Sequence, residues 1–252
     1  MAFRNPANYN QYYLVSTKMD YDSSPYESWL HFKRVCYSIL DMSLNGGKGK
    51  MIVKEKELLY LNDMSYAIGA CRHANGKDWW ISARGYQDTN CYYFFRLDRK
   101  GIRLDHKQYI GWNYPSQSLM NRTVSFSQKY SQDGKQFAIV TYRGIELFDF
   151  DRSLGTLSNR RYAEYPYKDT IYDLYVPDDL EFSPNGRFLY HDNVGIIYPI
   201  GDQSRIIQFD TKSSDFAASG IRVATYDGFE DQYSATSGGF KTNFSCMQLA
   251  RN

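Results

Sequence analysis

Histidine and cysteine, the residues most often recruited for metal binding and acid–base chemistry, are sparse in this chain of 252 residues. The four histidines, His31, His73, His106 and His191, form no H-x-x-x-H or H-x-H pair. The four cysteines, Cys36, Cys71, Cys91 and Cys246, are widely spaced and include no C-x-x-C. This spacing argues against a zinc site or a disulfide framework and predicts free, partly buried thiols. No apolar run is long enough to span a bilayer, so membrane insertion is not expected. The opening "MAFRNPANYN" has no apolar h-region, so it does not read as a signal peptide. Basic residues number 30 against 28 acidic, with no block of like charge, so nothing points to nucleic acid as a partner.

Motifs of catalysis are missing too. There is no G-x-S-x-G elbow, no P-loop and no G-x-G-x-x-G. "SLNGGKGK", Ser43–Lys50, is rich in glycine and lysine but leads from one strand into another. A phosphate loop needs a helix N-terminus at that place, so the segment reads as a hairpin turn. The carboxylates of "DFDRS" and of "PDD", residues 177–179, lack the D-x-[DN]-x-[DN]-G spacing of a calcium loop. No cofactor, metal ligand or catalytic residue is therefore nominated.

What the chain has in excess is aromatic residues, 17% with 24 tyrosines, on an ordinary globular background of 42% hydrophobic and 23% charged residues. That excess favours β-structure and amphipathic contact surfaces. A repeat then emerges from the turns. "CRHANGKDWW" (Cys71–Trp80), "YSQDGKQFA" (Tyr130–Ala138) and "EFSPNGRFLY" (Glu181–Tyr190) share a polar step, an Asn-Gly or Asp-Gly pair, a basic residue and an aromatic-rich strand. Asn-Gly and Asp-Gly mark tight hairpins because both residues tolerate positive φ. A second landmark is a strand ending in aspartate, at Asp41, Asp98, Asp151 and Asp210, each before a polar turn that an Asx side chain can bond. The histidine of the first segment, His73, aligns with Ser131 and Ser183, so its expected role is to bond the turn backbone. Trp79 and Trp80 should point to opposite faces of one strand and pack as core, a carbohydrate platform being the alternative.

Four-stranded units recurring about every 50–60 residues indicate β-propeller blades. The expected fold is all-β, a β-propeller domain of about four four-stranded blades. The blades run over residues 1–58, 59–116, 117–172 and 173–229, with 230–252 opening a further blade or closing the first. For the third blade the strands are expected at Thr123–Ser127, Lys135–Tyr142, Ile145–Asp149 and Thr156–Tyr162. Ser28–Met42, the best candidate for a helix, alternates better as a strand. The first blade lacks an inner strand in this reading. Both ends interrupt a motif, which favours a fragment of a larger propeller over a ring closed by the last strand. Open blade edges then predict self-association.

The segments "SLNGGKGK", "CRHANGKDWW", "IELFDFDRSLGTLSN", "FSPNGRFLY", "IIQFD" and "MQLARN" resemble the propeller region of large secreted proteins from Bacteroidetes, of the type IX secretion or gliding-motility-associated kind. The S-P-N/D-G turn is more distantly similar to WD-repeat and YVTN propellers. The resemblance implies an extracellular or cell-surface module for adhesion or partner binding, with no catalytic residue to carry over. Propeller ligands usually meet the loops opposite the Asn-Gly turns, and those loops are long and aromatic here. The candidate ligand-binding residues are Tyr26, Trp29, Tyr86, Asp88, Trp112, Tyr114 and Arg143, types that dominate recognition surfaces. A protein or glycan partner is expected. The alternatives are a propeller-scaffold enzyme, a lactonase or glycan-active hydrolase, and a structural spacer.

Overall fold

The computed structural model describes residues 1–20, 31–85, 90–113, 127–141, 143–164, 175–176, 179–195, 205–225, 230–231, 240–241 and 247–248. Strands β1 (Ala2–Arg4), β2 (Gln11–Asp20), β3 (His31–Asp41), β4 (Lys50–Arg72), β5 (Trp79–Gly85), β6 (Cys91–Asp98) and β7 (Gly101–Tyr109) form one antiparallel sheet in chain order. A second sheet has the order β11-β10-β9-β8, from β8 (Ser127–Tyr130), β9 (Gln136–Thr141), β10 (Gly144–Asp151) and β11 (Thr156–Glu164). In the third, β12 (Tyr175–Val176) and β13 (Leu180–Phe182) both pair with β14 (Phe188–Gly195), followed by β15 (Arg205–Asp210) and β16 (Ile221–Thr225). A two-residue pair, β17 (Glu230–Asp231) with β18 (Phe240–Lys241), completes the described strands. The chain is all-β, and its four-stranded antiparallel meanders are β-propeller blades, about four in number.

The first sheet holds two such blades. β4 pairs with β3 from Asp41↔Lys50 to Phe32↔Met64, then with β5 from Met64↔Gly85 to Arg72↔Trp79. It is the outer strand of the first blade and the inner strand of the second, and the expected boundary at 58/59 falls inside it. The first blade does have an inner strand, which corrects the sequence reading: Ala2, Phe3 and Arg4 pair with Leu14, Tyr13 and Tyr12. Its turn is built on Asn5, whose N–H donates to Gln11 O (2.9 Å) and whose Oδ1 accepts from Ala7 N (2.9 Å). That turn runs through Asn-Pro rather than Asn-Gly, so the glycine signal passes it by. The third blade's inner strand is Ser127–Tyr130, beginning where the expected strand ended; residues 123–126 lie outside the described residues. Ser28–Met42 is a strand over its described part, β3, and Asn45–Gly47 is a single 3-10 turn within the β3–β4 hairpin.

The chain falls into two units, Met1–Ser125 with Phe150–Leu157, and Phe126–Asp149 with Ser158–Asn252. In the first, β5 and β6 are buried on both faces, which is why "ISA" and "CYYFF" read as continuous rather than alternating apolar runs. One face carries Ile81, Ala83, Tyr93, Phe95 and Leu97 against Phe3, Tyr13, Val15 and Val35. The other carries Trp80 and Phe94 against His73, His106 and Phe150. In the second unit Ala138, Val140, Ile145 and Leu147 pack with Leu180, Phe182, Leu189 and Phe209. Each such large side chain contributes about 1.5–3 kcal/mol on leaving water.

The tryptophan pair splits as strand geometry requires. Trp79 packs on Phe3 (ring centroids 5.2 Å) under the Arg72 guanidinium (4.3 Å). Trp80 is 1% exposed, donates Nε1–H to Arg152 O (2.8 Å), and lies flat against Gly155. A Cβ on Gly155 would come within 2.8 Å of the indole, and its φ of +75° favours glycine independently. Arg152 returns the contact, with Nε donating to Arg72 O (2.9 Å) and its carbonyl also accepting from Ala74 N (3.0 Å). Trp80 is thus core and no carbohydrate platform.

Candidate functional site

At one end of each blade the polar side chains are spent on holding turns. Gly76, Gly134 and Gly186 have φ of +70°, +71° and +67°, and each donates its N–H to the carbonyl three residues back, on His73, Ser131 and Ser183. Ser131 Oγ accepts from Gln136 N (3.0 Å) and Ser183 Oγ from Phe188 N (2.9 Å). His73 does the same work through Nδ1, which accepts from Asn75 N at 3.0 Å. The expected structural role of this histidine holds. The aspartate turns close the same end of the blades: Asp41, Asp98, Asp151 and Asp210 accept at Oδ1 from the N–H two residues on, at 2.9, 2.8, 2.7 and 3.0 Å. Hydrogen bonds from Ser43 and Gln11 hold the Asp41 carboxyl below the ordinary range. A bond from Arg103 does so for Asp98, and one from Arg187 for Asp210.

A charged cluster stands on the inner strands of the second unit. Lys129 of β8 and Glu181 of β13 occupy the same place in successive repeats, two residues before the turn serine. Lys129 Nζ lies 3.3 Å from Glu181 Oε2, 3.7 Å from Asp179 Oδ1 and 3.4 Å from Met247 O. Asp192 supports Asp179, its Oδ1 accepting from Asp179 N at 2.7 Å. His191 is fully buried beside them, with Nδ1 3.3 Å from Asp179 O, and burial pushes its pKa down to about 4. At neutral pH it is a neutral imidazole that can donate Nδ1–H to that carbonyl. The Lys129 ammonium and the two carboxylates thus form a small network of opposite charges. Among the described residues no group of three or more His, Cys, Asp or Glu side chains could hold a metal ion.

Asp179 lies in the "PDD" cluster, whose spacing is not that of a calcium loop. Lys129 and Glu181 were not nominated. Aligning inner-strand positions across repeats would have found them, because opposite charges there meet between neighbouring strands.

Of the nominated recognition residues, Tyr26, Trp29, Tyr86, Asp88 and Tyr114 lie outside the described residues. Trp112 is 7% exposed, and its carbonyl accepts from Arg84 Nη2 at 2.8 Å; Arg84 itself is buried over the Tyr92 ring. Arg143 is exposed in the β9–β10 turn, with Nη2 3.1 Å from Glu164 Oε1 and its N–H donating to Thr141 Oγ1 (3.2 Å). Tyr109, which the sequence reading passed over, is 67% exposed at the end of β7 away from the aspartate turn. Cys36, Cys71 and Cys91 are buried and form no disulfide, and burial pushes the Cys71 thiol up to about 12. Cys246 lies outside the described residues.

No protein-family profile matches the chain, and no curated protein matches it. Among solved structures, the chain is similar to Kuenenia stuttgartiensis hydrazine synthase (14% identity, 89% of this chain and 47% of that one, TM-score 0.46). It is also similar to the β-propeller domain of Myceliophteria thermophila Cps50 (Swd1) (9% identity, 89% and 58%, TM-score 0.43). A third is the periplasmic gluconolactonase of Pseudomonas aeruginosa (15% identity, 83% and 52%, TM-score 0.44). The chain spans about half the length of the first and third of these, 47% and 52%.

Proposed function

We propose that the chain is a non-enzymatic β-propeller binding module that meets a protein or glycan partner through the ends of its blades opposite the Asn-Gly and aspartate turns. The observation that carries this is the division of labour between the two ends. At the turn end, His73, Ser131, Ser183 and all four turn aspartates are engaged with the backbone. At the opposite end of its own blade stands exposed Tyr109 in the first unit, and at that end of its own blade in the second unit stands exposed Arg143, paired with Glu164. Exposed tyrosine and arginine on a rigid scaffold are the side chains that recognition surfaces favour. The resemblance to secreted propeller proteins supports an extracellular or cell-surface location.

A glycan array and a cross-linking capture from the surface of the source cell test the reading, with Tyr86→Ala, Tyr109→Ala and Arg143→Ala beside the unaltered chain. Binding lost in these variants, and kept on changing turn-end Lys77 to Ala, is the expected result. Turnover of a lactone or glycoside that disappears in Glu181→Gln would replace binding by hydrolysis.

A further inference from the structure

The sequence contains three Asn-Gly pairs, Asn45–Gly46, Asn75–Gly76 and Asn185–Gly186, and the fold treats them differently. Asn75 is held on both sides of its amide: Oδ1 accepts from Lys77 N and Asp78 N (3.0 Å each), and Nδ2 donates to Asp78 Oδ2 (2.9 Å). Asn185 Oδ1 accepts from Arg187 N (3.0 Å) and Ser183 Oγ (2.8 Å). The glycine N–H that follows each is also committed, to His73 O at 2.9 Å and to Ser183 O at 2.8 Å. Asn45 and Gly46 are exposed in the β3–β4 turn, and nothing lies within 4 Å of a Cβ placed on Gly46. Among the described hydrogen bonds, neither the Asn45 side-chain amide nor the Gly46 N–H takes part. The Asn45 carbonyl alone is used, by Lys48 N at 3.2 Å.

We propose that Asn45–Gly46 is a self-modifying site, at which the chain converts asparagine to aspartate and isoaspartate while its two sister pairs are protected by their turns. The Gly46 nitrogen gives up its proton and attacks Asn45 Cγ. The N–Cγ bond forms, the Cγ–Nδ2 bond breaks, and ammonia leaves with the proton. Water then opens the five-membered imide at one carbonyl or the other, giving aspartate or isoaspartate, with no oxidant, metal or second protein required. Glycine at position 46 places no side chain in the way of the attack, and nothing lies within 4 Å of where one would stand. In the isoaspartate product the chain runs through Cβ and Cγ, adding one backbone atom and one negative charge to the turn.

Each hydrogen bond that must open slows the reaction about fivefold, so the held asparagines should react on the order of a hundredfold more slowly than Asn45. The test is peptide mapping by mass spectrometry of the full chain, incubated in mildly alkaline buffer both folded and in concentrated urea. Isoaspartate is scored by methyl transfer from S-adenosylmethionine with an isoaspartate-specific methyltransferase. The expected result is conversion confined to Asn45 in the folded chain and spread over all three sites in urea. Asp78→Ala should raise conversion at Asn75 and leave Asn45 unchanged. Equal rates at the three sites in the folded chain would overturn the proposal, and so would the same disparity in urea, which would assign the difference to neighbouring residues and not to the fold.

Discussion

Replacing Gly155 by alanine should cost the protein more than replacing Gly76, although both glycines hold nearly the same left-handed backbone, φ +75° and +70°. At Gly76 a Cβ meets nothing within 4 Å, so the cost is the backbone term alone, about 1–2 kcal/mol for a non-glycine residue. At Gly155 the same Cβ would press on the Trp80 ring at 2.8 Å. Trp80 has little freedom to withdraw, because it is buried and tied to the Arg152 carbonyl. Overpacking of this kind adds about 1–3 kcal/mol, for a total of roughly 2–5 kcal/mol. Urea midpoints at unchanged m-value would report the difference directly. The contact itself is isolated by a cycle with Trp80→Phe, which removes the indole atoms nearest Gly155. In that background Gly155→Ala should fall to about the Gly76→Ala cost. A Gly155→Ala cost no larger than that of Gly76→Ala, or one that Trp80→Phe does not reduce, would refute the account of the Trp80 contact.

Stability should fall as pH drops from about 6.5 through about 4, because the unfolded chain protonates His191 while the folded chain keeps it neutral. The loss amounts to about 3 kcal/mol. His191→Gln should flatten that part of a urea-midpoint profile, leaving the further loss below the carboxylate range that follows from the depressed Asp41, Asp98 and Asp210; an unchanged profile would count against the burial argument. Ser131→Ala removes the acceptor for Gln136 N and should cost about 1 kcal/mol, with faster amide exchange at Gln136 as its local signature. Lys129→Met should cost less than about 1 kcal/mol, since the cluster is partly solvated, and the cost should shrink in high salt. With Cys246 changed to serine, the remaining buried thiols should resist a maleimide in the folded chain and react fully in urea.

The turns were legible in the sequence because their chemistry is local. Asn-Gly or Asp-Gly demands positive φ, and Gly76, Gly134 and Gly186 supply it; an aspartate before a polar step bonds two residues on, and all four do. The first blade's inner strand was hidden because Asn5 makes its turn without glycine. The continuity of β4 was hidden because the pairing of Met64 with both Phe32 and Gly85 is decided by two partner strands, not by residues near Met64. The Lys129–Glu181 pair joins repeats distant in sequence, and neither residue carries a motif. Trp112 reads as a recognition residue from its loop, yet its burial and the bond from Arg84 depend on how β5 and β7 end.

In arrays of repeats, each unit ordinarily meets its neighbour across an interface that can open while both units stay folded. The shared strand removes that freedom from the first two blades. Unzipping β3 from the first half of β4 frees one edge of the strand that templates β5, so loss of the first blade should propagate into the second as one cooperative transition. For anyone shortening or grafting this protein, the natural joints are the turns that cap the blades. A cut between residues 58 and 59, where the sequence period alone would place it, severs a ladder that two blades hold in common.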